Sequence, residues 1–483
     1  MPRRWSRAGV RALLLAAPAV WILYFFALDQ TGLVGPDEPR YASVAREMAD
    51  SGDWVTPRLW GEPWFEKPAL FYWMAAVAFR MGLGPELAPR LPVAVLSVLF
   101  LALFWRLLAR EFGTRAALYA TVILGTSAGW LAYSQSGVTD LPMSATLAAA
   151  MLFSLGWVKE GEVRMLPAAA AMLGLSVLSK GLVPLVLALP LVWAGRRRWR
   201  DLIAPRVILP FLAASLPWYL LCYLRNGRVF LEKFFVEHHF GRFVSDSLGH
   251  PQPFWYYLPI TAAALAPWTP LLLVSFSSAT WRDPRRRLLV TWFVFVLVFF
   301  SLSANKLPGY ILPLLPAAAA LMGIGLAAAE HRGWHLAASA ALLALIPAAA
   351  SVLPKALAAG LSRAPLPAFS WICVAPLIVA AAVWGLDRTG RRTAAIALAA
   401  FSATAGIGYL KAEVLPALDW AASVRPLWLR IAPVRDRVCI AYLHRNWRYG
   451  LNYYSRAAIP ECAVSPRPFH LDQSPGQPPF VKP

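Results

Sequence analysis

Apolar residues in this 483-residue chain come in blocks of roughly twenty, a pattern that excludes most soluble folds. Twenty residues at about 1.5 Å rise cross a hydrocarbon core about 30 Å thick. Inside that core every backbone N–H and C=O must be satisfied within the protein, so blocks without strict alternation predict α-helices. Composition agrees: 59% of residues are hydrophobic, 15% are charged, and mean hydropathy is +0.53. The expected class is an all-α polytopic membrane protein. About thirteen transmembrane helices are expected, near 9–28, 91–109, 116–134, 140–158, 165–180, 182–195, 207–224, 256–276, 288–304, 308–329, 335–353, 368–386 and 393–410. "KGLVP" interrupts the fifth and sixth, which suits a kinked pair of short segments. A cleaved signal peptide would also show a basic head and an apolar body. Here the body is long and bulky, and "DQTGLVGPDEPRY" follows it rather than a small-residue cleavage site, so a retained first span is expected.

The net charge of +21 raises the question of nucleic acid, but the basic residues form short clusters between apolar runs, as membrane topology requires. The bilayer is the expected partner and nucleic acid is not. With a cytoplasmic N-terminus and strict alternation, "WRLLAREFGTR", "KEGEVR", "RRRWRDLIAPR", "RDPRRR", "EHRG" and "DRTGRR" all fall inside. The short opposite loops "SQSGVTD", "SANKLPG" and "PKALAAGLSRAP" are sparse in basic residues. The odd span count then places the C-terminal tail outside. The expected organisation is a membrane domain over 1–410, with outer loops 29–90 and 225–255, and a small C-terminal periplasmic α/β appendage over 411–483. The first outer loop holds nine carboxylates. Its "PRYASVAREMA" predicts an amphipathic helix with Tyr41, Val44, Ala45 and Met48 on one face, and "PALFYWMAAVAFRMG" an aromatic-rich helix suited to the interface. No internal repeat is visible.

Four cysteines occur without CxxC spacing, so a zinc-finger site is not supported. Cys222 and Cys373 lie in apolar runs. Cys439 and Cys462 lie in the outer tail, an oxidising compartment if this is a bacterial periplasm. They form either a disulfide or two unpaired thiols.

Ionisable residues recur where spans meet the outer face. They are Asp37 and Glu38, Glu66 and Lys67, Asp140, Lys180, Glu237, His238, His239 and Arg242, and Lys306 with Tyr310. Each has a bland reading. Lys67, Lys180 and Lys306 can snorkel. Asp140 can cap the helix beginning "LPMSATL", and Asp37 and Glu38 the helix after them. The histidines can be interfacial hydrogen bonders. The bland readings leave unexplained why carboxylates and cations from separate segments gather on one face. A site that releases a lipid phosphate needs fixed cations, which Lys67, Arg40 or Arg242 can supply, and a carboxylate beside the acceptor hydroxyl.

"GPDEPRYASVAREMADSGDWVTPRLWGEPWFEKPALFYWMAA" followed by "ELAPRLPVAVLSVL" resembles the first outer loop of the bacterial lipid A aminoarabinose transferases. These are GT-C glycosyltransferases related to protein O-mannosyltransferases. The resemblance continues through "VTDLPMS", "LSKGLVPLVLALP", "EHHFGRFVSDSLGHPQPFWYYLP" and "SANKLPGYILPLLPAAAAL", covering roughly residues 10–330. It implies a GT-C-type fold and a pentosyl- or hexosyltransferase using a polyprenyl (undecaprenyl) phosphate sugar donor. The implied acceptor is lipid A or lipopolysaccharide, at the bacterial inner membrane with the site facing the periplasm. Asp37 matches the favoured catalytic carboxylate and Asp140 a second essential acid, with Glu38 in a positioning role. Lys67, Arg242 and Tyr310, with Arg40 nearby, match the residues that hold the lipid phosphate. No cofactor is required. A zinc-like ion joining Glu66 to Glu237 or His239 is implied more weakly, because Glu237 stands where relatives carry histidine. Two alternatives remain: a GT-C transferase for another polysaccharide or protein, and a lipid or sugar transporter. A transporter predicts internal repeats and charges at mid-span depth, and neither shows.

Overall fold

The computed structural model describes residues 16–234, 252–275, 281–329, 333–360, 364, 367, 371–474 and 477–482. The thirteen apolar runs are mostly helical where they are described, with breaks inside several of them. Eight continuous helices among the described residues are long and apolar enough to cross a membrane. They are α4 (Leu87–Phe112), α7 (Asp140–Glu160), α8 (Val163–Lys180), α10 (Pro205–Asn226), α13 (Pro308–Ala328), α14 (Trp334–Ala356), α15 (Trp371–Arg388) and α16 (Arg392–Ala422). A ninth candidate is the pair α5 (Thr114–Gly125) and α6 (Ala128–Ser134), bent by 63°. Shorter apolar helices are α1 (Ala16–Phe25), α3 (Leu70–Arg80), α9 (Val183–Ala194) and α11 (Phe254–Leu265). α12 (Pro284–Ser301) opens on three arginines. α2 (Asp37–Ser51) lies in the segment 29–90, the expected first outer loop.

Proline decides where the runs break. The expected span 256–276 is α11, then a cis Ala266–Pro267 bond, then a short 3-10 segment Thr269–Val274. α8 stops at Lys180, and Gly181 separates it from the proline-broken α9, the kinked pair expected there.

The chain divides into two compact units, Arg40–His335 and Met1–Pro39 with Leu336–Pro483. In the first, α7 and α13 form the centre, with 89% and 83% of their apolar windows buried. Ala317, Ala318, Ala319 and Ala320 of α13 are fully buried, and small residues let helices approach closely where apolar area gives no preference over lipid. Two buried indoles find hydroxyl partners inside: Trp130 donates to Ser97 Oγ at 2.9 Å and Trp268 to Thr126 Oγ1 at 2.8 Å. Tyr41, Val44, Ala45 and Met48 of α2 are buried as their spacing predicted. The aromatic face of α3 differs from expectation. Phe71 and Tyr72 are fully buried rather than interfacial, because Tyr41 packs edge-on against both.

In the second unit, α16 packs against α14, α15 and α1. Its Lys411 donates to the carbonyls of Ile22, Leu23 and Phe26 at 2.9, 3.1 and 2.9 Å, satisfying acceptors at the end of α1. After α16 comes a small α/β region with α17 (Arg425–Ile431) and α18 (Arg445–Ser455). Its sheet runs β1 (Val438–Ile440), β2 (Phe469–Asp472), β3 (Phe480–Lys482), with β1–β2 parallel and β2–β3 antiparallel. Val438, Ile440, Leu451, Trp447 and Leu471 fill its core. Cys439 and Cys462 form a disulfide.

Candidate active site

Among the ion pairs of the described residues in the Arg40–His335 unit, two groups hold expected site residues. The first is built by α2 and the "FEKP" turn before α3. Glu66 is 2% exposed, an expensive place for a carboxylate without partners. Arg40 Nη2 lies 3.2 Å from each of its oxygens, and Lys67 Nζ 3.6 Å from Oε1. Two cations therefore share one carboxylate. Arg40 also lies over the Tyr41 ring at 5.2 Å.

The second group joins α7, α8 and the segment leading into α13. Lys180 Nζ donates to Asp140 Oδ1 at 2.6 Å and stands 5.2 Å from the centre of the Tyr310 ring. Both side chains of the ion pair are under a fifth exposed. Asp140 sits in the first turn of α7, where a carboxylate also answers the helix dipole. Ser176 and Ser179 donate to Met143 O and Thr139 O, tying α8 to the start of α7 and fixing where Lys180 emerges. Gly309 lets the Tyr310 segment pass Tyr133, since a Cβ there would meet Tyr133 Oη at 2.4 Å. Phe65 and Leu178, next to Glu66 and two residues before Lys180, share one apolar cluster, so both groups belong to one end of the helix bundle.

Lys306, expected at the outer face, is 6% exposed and donates to the carbonyls of Ser303 and Gln252. It acts as a loop staple rather than a snorkelling side chain.

Asp37 and Glu38 lie in the other unit. Asp37 is half-buried in the first turn of α2, the helix that also carries Arg40. Glu38 is 5% exposed and accepts from Val34 N at 2.9 Å, folding back on the segment before its own helix. That segment has further holders, which sequence reasoning missed. Gly32 N donates to Asp419 Oδ1 at 2.7 Å, and Leu33 N to Tyr454 Oη at 3.2 Å. Arg425 donates to the carbonyls of Asp29 and Gln30 and pairs with Asp419 at 2.8 Å. The available signal was an aspartate six residues before an arginine at the end of an apolar run.

Arg242, Glu237 and His239 lie outside the described residues. Glu66, the described member of the expected metal set, already faces Arg40 and Lys67. Its oxygens face those two cations, and no step below passes through a metal ion.

Comparison with known proteins places these residues in context. Residues 66–220 match the family described as dolichyl-phosphate-mannose-protein mannosyltransferase. An undecaprenyl phosphate-alpha-4-amino-4-deoxy-L-arabinose arabinosyl transferase from Pseudomonas fluorescens is 34% identical over 332 residues, 65% of this chain and 56% of that protein. The chain thus spans little more than half the length of that relative. The crystal structure of ArnT from Cupriavidus metallidurans bound to undecaprenyl phosphate superposes with a TM-score of 0.75 at 26% identity, covering 94% of this chain and 86% of that one. The Archaeoglobus fulgidus oligosaccharyltransferase, at 11% identity and TM-score 0.51 over 92% of this chain and 61% of that one, shares the fold alone. The resemblance carried by the sequence motifs is borne out, as is the all-α, GT-C-type membrane fold.

Proposed function

We propose that this chain, a relative of the bacterial aminoarabinose transferases, is an inner-membrane glycosyltransferase. It moves a sugar from a polyprenyl-phosphate donor to a cell-envelope acceptor, lipid A in the first reading, with its site facing the periplasm. The observation that carries the proposal is the pair of charged groups at one end of the bundle, Arg40 and Lys67 around Glu66 and Lys180 between Asp140 and Tyr310. Kinship to a transferase named for undecaprenyl phosphate, and a likeness to a structure that holds that lipid, support the choice of donor.

In the reaction the bond from the sugar's anomeric carbon to the donor phosphate oxygen breaks. A bond from that carbon to the acceptor oxygen forms. Negative charge grows on the departing phosphate, so Lys67, Arg242 and Tyr310 are assigned to meet it, with Arg40 assisting. Glu66 holds Lys67 and Arg40 at fixed positions, which lowers the reorganisation needed as charge develops. An acceptor hydroxyl gives its proton to Asp37, and Glu38 positions the turn on which Asp37 stands. Asp140 and Lys180 form a fixed dipole beside Tyr310.

The acceptor has a second reading. The matched family is described by transfer to protein, so a protein or polysaccharide hydroxyl is the competing acceptor. The deciding experiment supplies purified protein with polyprenyl-phosphate-linked sugars and lipid A, and follows the product by mass spectrometry. Sugar on lipid A supports the first reading. Donor turnover with no transfer to lipid A supports the second, and no donor turnover with any sugar tested sinks both.

A further inference from the structure

The Arg40–His335 unit contains a second polar cavity, away from the groups assigned above. It has a volume of about 370 Å³ and is lined by Trp157, Trp193, Arg196, Arg197, Arg198 and Arg287, among others. Among the described residues no carboxylate lines it. Its residues belong to the basic segments "RRRWRDLIAPR" and "RDPRRR", which the positive-inside rule puts at the cytoplasmic face. A topological signal needs only basic residues in a loop. It does not require them to surround a cavity.

The cavity is built by specific packing. Gly195 crosses the face of Trp157 so closely that a Cβ would stand 1.9 Å from the indole, and this sets Arg196, Arg197 and Arg198 on the rim. Arg198 donates to Trp157 O at 2.8 Å and Arg196 to Trp193 O at 3.2 Å, which leaves part of each guanidinium for another acceptor. Arg197 and Arg287 have no ion pair among the described residues. The neighbouring carboxylates are engaged elsewhere. Asp201 accepts from the Trp157 indole at 2.9 Å, and Asp283 is held by Arg285 at 2.8 Å.

Two exposed apolar stripes lead away from the rim. Leu185, Leu189, Val192 and Trp193 follow helical spacing along α9, and Val294 and Val298 do so along α12. We propose that this cavity binds the phosphate headgroup of an anionic phospholipid of the cytoplasmic leaflet, with the acyl chains lying along α9 and α12. Basic pockets between spans on this side of a membrane take such headgroups. Planar guanidinium groups suit phosphate oxygens, and tryptophan suits the headgroup level. The stripes favour a lipid over a soluble phosphate, which would make no use of them.

The test is native mass spectrometry of the purified protein released from nanodiscs of phosphatidylcholine with 20–30% phosphatidylglycerol, a composition chosen so that binding must be selective (roughly one charge per lipid bound). The parent protein is expected to retain phosphatidylglycerol over phosphatidylcholine. Arg197→Gln/Arg287→Gln should lower that retention about tenfold, and Arg197→Lys/Arg287→Lys should restore part of it. The control Arg106→Gln/Arg115→Gln removes the same charge from another basic cluster and should change little. Equal retention by the cavity variant, or equal loss in the control, overturns the proposal. So does displacement of the lipid by millimolar inorganic phosphate, which would make the ligand a soluble phosphate. Should the glutamine pair fail to fold, the lysine pair and the phosphate competition still decide.

Discussion

At the scale of single residues the site rests on paired charges. Asp37→Asn keeps shape and removes basicity. General-base catalysis contributes roughly 10²–10⁴-fold, so turnover should fall by about that factor while donor binding stays near normal. Full activity in a folded Asp37→Asn protein, measured by sugar transfer, would return that carboxylate to the role of helix cap. Lys67→Ala should behave differently, because a phosphate partner acts on bound donor and on the transition state alike. Donor affinity and turnover should both fall, read as a rise in KM together with a drop in kcat. Lys180→Met tests structure as much as chemistry. It strands Asp140, a carboxylate 17% exposed, and breaking such a pair costs roughly 3–5 kcal/mol when burial is complete. The remaining exposure places the expected loss at the low end, measurable as a lower unfolding midpoint in detergent.

At the scale of elements, the segment before α2 depends on residues far along the chain. α16 runs 31 residues, roughly 46 Å at helical rise, longer than a bilayer core needs. Its last turns carry Asp419, which binds Gly32 N and Arg425 together. Tyr454 of α18 adds the acceptor for Leu33 N. Tyr454→Phe keeps the ring and removes that oxygen. The expected result is turnover lowered several-fold with KM little changed, because the turn leading to Asp37 is held less firmly. Steady-state kinetics on the variant, with unchanged unfolding as a control, checks this. Unaltered turnover would show that the Leu33 bond has no part in placing Asp37.

At the scale of the whole molecule, the alternation of basic clusters predicts a tail outside the cytoplasm. A C-terminal alkaline phosphatase fusion should be active, and a fluorescent protein that folds only in the cytoplasm should stay dark. The reverse pattern would sink the topology. The Cys439–Cys462 bridge fits an oxidising compartment and closes a loop of 23 residues. In the chain-entropy model such a bridge adds about 3 kcal/mol, so Cys439→Ser/Cys462→Ser should lower the stability of the tail by about that amount. Thiol labelling of the denatured, unreduced parent should find Cys222 and Cys373 reactive and these two protected.

Much of this protein was legible in its sequence, for a physical reason. A bilayer imposes length and apolarity on each span, and charge on each cytoplasmic turn, so helices and sidedness are written locally. The amphipathic face of α2 and the strand at Val438 are local signals of the same kind. So is the place of Asp37, Glu66, Lys67, Asp140 and Tyr310 each near a span end, since ionisable groups avoid hydrocarbon. Pairing is not local. That Lys180 answers Asp140 across 40 residues, that Glu66 binds two cations, and that Asp419 reaches Gly32 across 387 residues follow from which helices touch. Side chains in an apolar interior choose the partner that satisfies their charge or hydrogen bond, and only the packed structure determines which partners come within reach.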